Sequence, residues 1–177
     1  MKDLSEHILD IVGNSIRAGA LLIEIGLEVL VIEKVLILRI RDNGCGMSEE
    51  MVARVTDPFV TSRTTRKVGL GLPFLKMNAE LTGGAVKVAS EEGKGTLVEA
   101  LFYHHHIDFV PRGDLKGSMA LIMSGNPNVD FVLSLKRGSD AFEIKSADIK
   151  EVLGDVPINH PKVGRFIKEM MDFSLLE

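Results

Sequence analysis

Along the first seventeen residues the apolar positions recur at helical spacing. Leu4, Ile8, Ile11, Val12 and Ser15 form one stripe, and Asp3, His7, Asp10, Asn14 and Arg17 line another face. The pattern predicts a helix over residues 3–17, stopped by Gly19. The period then changes to two. Ile23, Ile25, Leu27 and Val29 alternate with other residues, giving a strand over Leu22–Val29 and a second over Val35–Arg41. That strand runs into Asp42-Asn43-Gly44-Cys45-Gly46, residues that tolerate positive φ and predict a turn. Ser48 reads as the N-cap of a short helix ending near Val55. From Thr56 to Val68 no period is visible, as in a surface loop, before Gly69-Leu70-Gly71-Leu72 leads into a helix over Pro73–Leu81. Strands at Ala85–Ser90 and Thr96–His104 flank a turn at Glu91–Gly95. Pro111–Gly117 reads as a linker, followed by strands at Met119–Ser124, Phe131–Lys136 and Ala141–Lys145. A closing helix carries Val163, Phe166, Ile167, Met170 and Met171 on one face.

With 45% apolar residues the 177-residue chain has material for a real core. Twenty-one basic residues against twenty-five acidic ones give no positive excess, so a nucleic-acid partner is not expected. The longest apolar runs, such as Ala18–Ile23, are far shorter than the roughly 20 residues a membrane-spanning helix needs. A single cysteine excludes an internal disulfide framework. Together these predict a cytoplasmic protein with no membrane or nucleic-acid partner.

Four segments carry candidate chemistry, in one order. Asp10 and Asn14 stand one turn apart on the first helix. An amide oxygen suits Mg²⁺, and a carboxylate can orient or deprotonate a water. Asp42, in the sequence DNGCGM after a strand, can accept a hydrogen bond from a purine amino group while Gly44 and Gly46 admit the base. The Thr- and Arg-rich loop feeds Gly69-Leu70-Gly71-Leu72 at a helix start, where free N–H groups and the helix dipole attract phosphate. Thr96 begins a late strand with a hydroxyl able to reach a base or its bound water.

On these residues the chain resembles the gyrase, heat-shock chaperone, histidine kinase and MutL (GHKL) superfamily. ILDIVGNSIRAGA resembles the N box in its MutL form, and DNGCGM the first glycine box. DPFVTSRTTRKVGLGL resembles the histidine-kinase lid and second glycine box, with Pro58-Phe59 in the F-box place. GKGTLVEALF resembles the closing threonine strand. The resemblance implies a Bergerat-type α/β two-layer sandwich over residues 1–110. Residues 111–177 are expected as a small α+β appendage. It further implies ATP and Mg²⁺ as cofactors, with Asn14 on the metal and Asp42 on the adenine amino group. Gly44, Gly46 and Met47 would belong to the base pocket, supported by Thr96. Thr61, Arg66, Lys67, Gly69, Leu70, Gly71 and Leu72 would belong to the lid and phosphate site.

Three positions depart from the family pattern: Asp10 replaces the usual catalytic Glu, Arg17 stands where MutL relatives carry an acid, and Lys67 replaces a glycine. The expected activity is that of a nucleotide-dependent regulatory module or slow ATPase. The alternative is a protein kinase, of histidine-kinase or anti-sigma serine type, acting on a separate partner. His7 lies within the ATP-site helix, which argues against histidine autophosphorylation. A gyrase-like machine lacks a transducer of useful size. A protein partner is expected, and a homodimer is left open. His104, His105 and His106 read as surface histidines, Cys45 as a small buried filler, and the Met-rich closing helix as core or interface.

Overall fold

The computed structural model describes residues 3–57 and 70–176. Helix α1 (Leu4–Arg17) is followed by a hairpin of β1 (Leu22–Leu30) and β2 (Val35–Asp42), then by α2 (Glu49–Arg54) and α3 (Gly71–Leu81). A second hairpin pairs β3 (Ala85–Glu91) with β4 (Gly95–Tyr103). The chain continues through α4 (Leu115–Gly125), β5 (Asp130–Arg137), β6 (Asp140–Lys145), α5 (Ser146–Leu153), α6 (Pro161–Met170) and a 3-10 turn (Ser174–Leu176). Two helix starts carry side-chain caps, the one at Ser48 as expected. Asp3 accepts from the Glu6 N–H at 2.9 Å and Ser48 from the Met51 N–H at 3.3 Å. The hydroxyl of Ser5, followed by that N–H of Glu6, holds the Asp3 carboxyl below the usual carboxylate range.

Six strands make one sheet in the order β3-β4-β2-β1-β5-β6. The pairing is antiparallel except between β1 and β5, where Leu22–Val29 runs parallel to Asp130–Arg137. Alternation decides what each face does. Ile23, Ile25, Leu27, Leu38, Ile40, Val98, Ala100, Phe102, Phe131 and Leu133 point to one side, where they join Leu4, Ile8, Ile11, Leu75, Met119, Met123 and Ile167 from the helices in a continuous core. The other side is a charged ladder. Arg39 on β2 reaches Glu99 on β4 at 2.7 Å and Glu28 on β1 at 2.8 Å, and Lys136 on β5 adds a contact to Glu28 at 3.3 Å. Two open hollows of about 540 Å³ each adjoin on this face and share Glu24, Arg41 and Leu97.

Residues 119–124 correct the expectation of a strand, because they lie inside α4. Leu115, Ser118, Met119, Ile122 and Met123 are buried while Leu121 is exposed, which is a period of 3.6. Five apolar residues in a row, Met119–Met123, read equally well as a buried strand. Asp114 settles the local state by accepting from the Gly117 N–H at 2.9 Å as a helix cap. Helix α5 was also not anticipated; Ile149 is its one buried large apolar side chain. No helix among the described residues is long and apolar enough to cross a membrane.

The polar stripe of α1 is not a solvent face at its start. His7 is completely buried there, and its Nε2 lies 2.8 Å from the Asn78 Nδ2 on α3. An amide N–H₂ can only donate, so Nε2 accepts and the ring proton is assigned to Nδ1, which has no partner. Burial above all pushes the His7 pKa down, to about 4. An unfolded chain therefore protonates this residue near pH 6.5 while the folded chain does not, and stability falls as pH drops toward 4. Thermal melts should lose stability from near pH 6.5 downward, by up to about 1.4 kcal/mol per pH unit for this residue. His7→Gln should flatten that slope above about pH 5, where ordinary carboxylates remain ionised.

Candidate functional site

The turn after β2 is built around one buried carboxylate. Asp42 is 9% exposed and lies on the helix-facing side of the sheet. Its Oδ2 accepts from the Ser15 hydroxyl at 2.6 Å and its Oδ1 from the Gly44 N–H at 2.9 Å. A carboxylate offers about four acceptor positions, so these two donors anchor it and leave capacity for a further donor. Asn43, facing outward, fastens the turn to the start of β1 through the N–H groups of Leu21 and Leu22, both at 2.9 Å. Gly46 packs where no side chain fits. At φ 66°, a Cβ there would lie 2.0 Å from the Glu91 carbonyl oxygen. Cys45 corrects the expectation of a buried filler, since it is exposed. Alternation through the turn sends Asp42 and Gly44 inward and Asn43 and Cys45 outward.

A hydroxyl relay adjoins the turn. Ser90 on β3 accepts from the Met47 N–H at 2.9 Å and donates to the Gly95 carbonyl at 2.8 Å. That uses its single proton, so the Thr96 hydroxyl, 2.9 Å away, donates to Ser90. Thr96 sits directly across from Asp42 in the β2–β4 register. Ser15 and Ser90 were not singled out in the sequence. Ser90 was accessible through hairpin register, since a turn at 91–95 places it opposite Thr96. Ser15 carried one signal, a hydroxyl inside an apolar helical stripe.

Asp10 and Asn14 are brought to the same side of α1. The Asp10 Oδ2 is buried against Gly71, the first residue of α3, with no hydrogen-bond partner among the described residues. A Cβ on Gly71 would come within 1.7 Å of that oxygen, so the glycine makes room for the carboxylate. The α3 start has no side-chain cap, and Pro73 in its first turn has no N–H. A negative group is favoured at such an end. Asn14 is half-buried, and its Oδ1 accepts a hydrogen bond from the Arg17 guanidinium. Leu70 is exposed, whereas Leu72 belongs to the core. Pro58, Phe59, Thr61, Arg63, Arg66, Lys67 and Gly69 lie outside the described residues. The His104 ring is partly buried, which above all lowers its pKa, and the backbone N–H of His104 donates to the Lys34 carbonyl at the far end of the sheet.

Comparison with known proteins now gives the class. Residues 2–105 match the family of histidine kinase-, DNA gyrase B-, and HSP90-like ATPases. More than half the chain is covered, and the protein belongs to that family. Among curated relatives, sporulation kinase D of Bacillus subtilis is 33% identical over 99 residues, covering 54% of this chain and 19% of the relative. A putative sensor protein of Shewanella frigidimarina is 39% identical over 67 residues, or 37% of this chain and 10% of the relative. The chain thus spans less than a fifth of the length of either. The Aquifex aeolicus MutL ATPase domain complexed with ADP superposes with a TM-score of 0.52 at 14% identity, over 96% of this chain and 88% of that one. The N-terminal domain of a DNA repair protein gives 0.55 at 16% identity, over 81% of this chain and 52% of that one. At such identities the likeness shows the fold: the mixed α/β sandwich expected from the motifs.

Ser15 is placed to test the architecture of the turn. Ser15→Ala removes a donor from a buried carboxylate and should destabilise the fold by about 1–3 kcal/mol in urea unfolding.

Proposed function

We propose that this protein binds ATP between α1, the turn after β2 and the start of α3, and acts as a nucleotide-dependent regulatory module with slow or no turnover. The observation that carries the reading is the Asp42 carboxylate, buried yet still able to accept from the adenine amino group. In this reading Gly44, Gly46 and Met47 border the base, and Thr96 supports it through a bound water. Gly69, Leu70 and Gly71 bring the phosphates to the α3 N-terminus, where partial positive charge favours them. Thr61, Arg66 and Lys67 contribute from the loop. Asp10, beside Gly71, is the candidate base: water attacks the γ-phosphorus, the bond to the β-phosphate oxygen breaks, and Asp10 takes the water's proton.

Asn14 and Mg²⁺ need separate treatment. Magnesium requires open oxygen ligands at close range. The Asn14 oxygen already accepts from a guanidinium, so the side chains as placed do not fit the ion.

A second reading, phosphoryl transfer to a separate protein, is favoured by the likeness to sporulation kinase D. The buried His7, bonded to Asn78, is not available as an acceptor. Residues beyond 110 are proposed to brace the nucleotide helix, because the carbonyls of Pro111 and Arg112 accept from the N–H groups of Leu4 and Ser5. Placement in the cytoplasm, a protein partner and a homodimer belong to the same proposal.

Calorimetry with ATP and ADP checks the central claim. The native protein should bind both, and Asp42→Asn should weaken ATP by about a hundredfold, the scale of losing a charged hydrogen bond and leaving a mismatched donor. Unchanged affinity in that variant would end this assignment of the base pocket. Following γ-labelled ATP separates the readings: retained ATP or slow release of phosphate supports the module, and label on a second protein selects the kinase.

A further inference from the structure

Three polar side chains stand in one row across the sheet, at the end where the turn after β2 leaves it. Ser90 on β3 lies opposite Thr96 on β4, and Thr96 lies opposite Asp42 on β2. Alternation puts all three on the helix-facing side, two residues from Val88, Val98 and Ile40 of the core face. Asp42 holds two donors and has acceptor positions left. What Thr96 can offer is decided by its neighbour. Ser90 gives its proton to the Gly95 carbonyl at 2.8 Å and accepts from the Met47 N–H at 2.9 Å. The Thr96 proton fills its second acceptor position, across 2.9 Å between the two hydroxyl oxygens. A serine hydroxyl has one donor and two acceptor positions, so Ser90 is saturated by protein groups. The Thr96 hydroxyl, otherwise a free rotor, keeps only lone pairs for whatever lies between it and Asp42.

On the nucleotide reading above, we propose that Ser90 is a positioning residue for the base. By taking the Thr96 proton it makes Thr96 an acceptor, and this sets the direction of the water that reads the base at N1. Adenine presents an amino donor beside the N1 acceptor. Asp42 accepts the amino proton, and a water between Thr96 and N1 donates one proton to each. A 6-oxo purine fails at both points: its oxygen faces the Asp42 acceptor, and its N1–H meets the water proton. Ser90 touches no part of the nucleotide and acts through Thr96.

Calorimetry with ADP and with 1-deaza-ADP, in which a C–H replaces N1, tests this in the native protein, Ser90→Ala and Ser90→Thr. The native protein should prefer ADP by about fivefold, the scale of one neutral hydrogen bond. Ser90→Ala frees the Thr96 proton and should remove most of that preference by weakening ADP while 1-deaza-ADP holds. Ser90→Thr keeps a hydroxyl and should restore it. If the alanine variant does not fold, Ser90→Cys, whose thiol bonds weakly, is read by the same criteria. A serine that merely braces the turn through Met47 and Gly95 would weaken both nucleotides together and leave the preference intact, which overturns the proposal. Unchanged ADP affinity in Ser90→Ala also overturns it, as does equal binding of the two nucleotides by the native protein, and in both cases the nucleotide reading stands. Failure of the native protein to bind either nucleotide removes that reading and this inference with it.

Discussion

The turn after β2 depends on supplying hydrogen-bond donors to a carboxylate inside the fold. Asp42 is nearly buried, and an ionised group in that position is costly unless donors surround it. The two donors come from different parts of the chain, a side-chain hydroxyl on α1 and a backbone N–H within the turn itself. Their geometry ties the first helix to the end of β2. The two donors also fix the direction of the acceptor's remaining lone pairs. Preorganisation of this kind lowers the ordering cost of binding.

Helix α1 serves several neighbours at once. Its apolar stripe fills the core, and its opposite face meets α3 through the His7–Asn78 contact and the packing of Asp10 on Gly71. Its first N–H groups are satisfied by carbonyls at residues 111 and 112, and its middle packs on α4. A change at the α3 start is thus transmitted to a helix that also touches the C-terminal elements. That connectivity underlies the regulatory role proposed above. In that proposal bound nucleotide biases α3, α3 bears on α1, and α1 bears on surfaces a partner can read.

The region after residue 110 lengthens the sheet. β5 pairs with β1 along eight residues, so β1 is an interior strand, and β6 becomes the edge. Phe131, Leu133 and Leu135 add to the core from this side, while α4 and α6 extend the helical layer. Charged residues dominate the uncovered face, where Arg39 bridges acids on both neighbouring strands. Exposed ion pairs of this kind contribute little stability each. They do keep an open sheet face polar and soluble.

Local pattern carried much of this protein. The periods of α1, β1, β2, β3 and β4 and the cap at Ser48 depend on neighbours within a few residues, and the structure has them near the expected bounds. The four motifs that pointed to the family are likewise short and contiguous, so the family was legible before any fold. Other features arise only when distant segments meet. Met119–Ser124 became a helix because an apolar run has no period of its own until one side is buried. His7 left the polar face because α3 covers it, Ser15 gained a role because Asp42 folds back onto it, and Cys45 turned outward with the turn that carries it. The amide of Asn14 invited a metal by its type alone, but the side chain of Arg17, bent over it, sets the charge that oxygen meets. Spacing along a chain determines which groups are present on a face; only packing across elements determines which atoms face them.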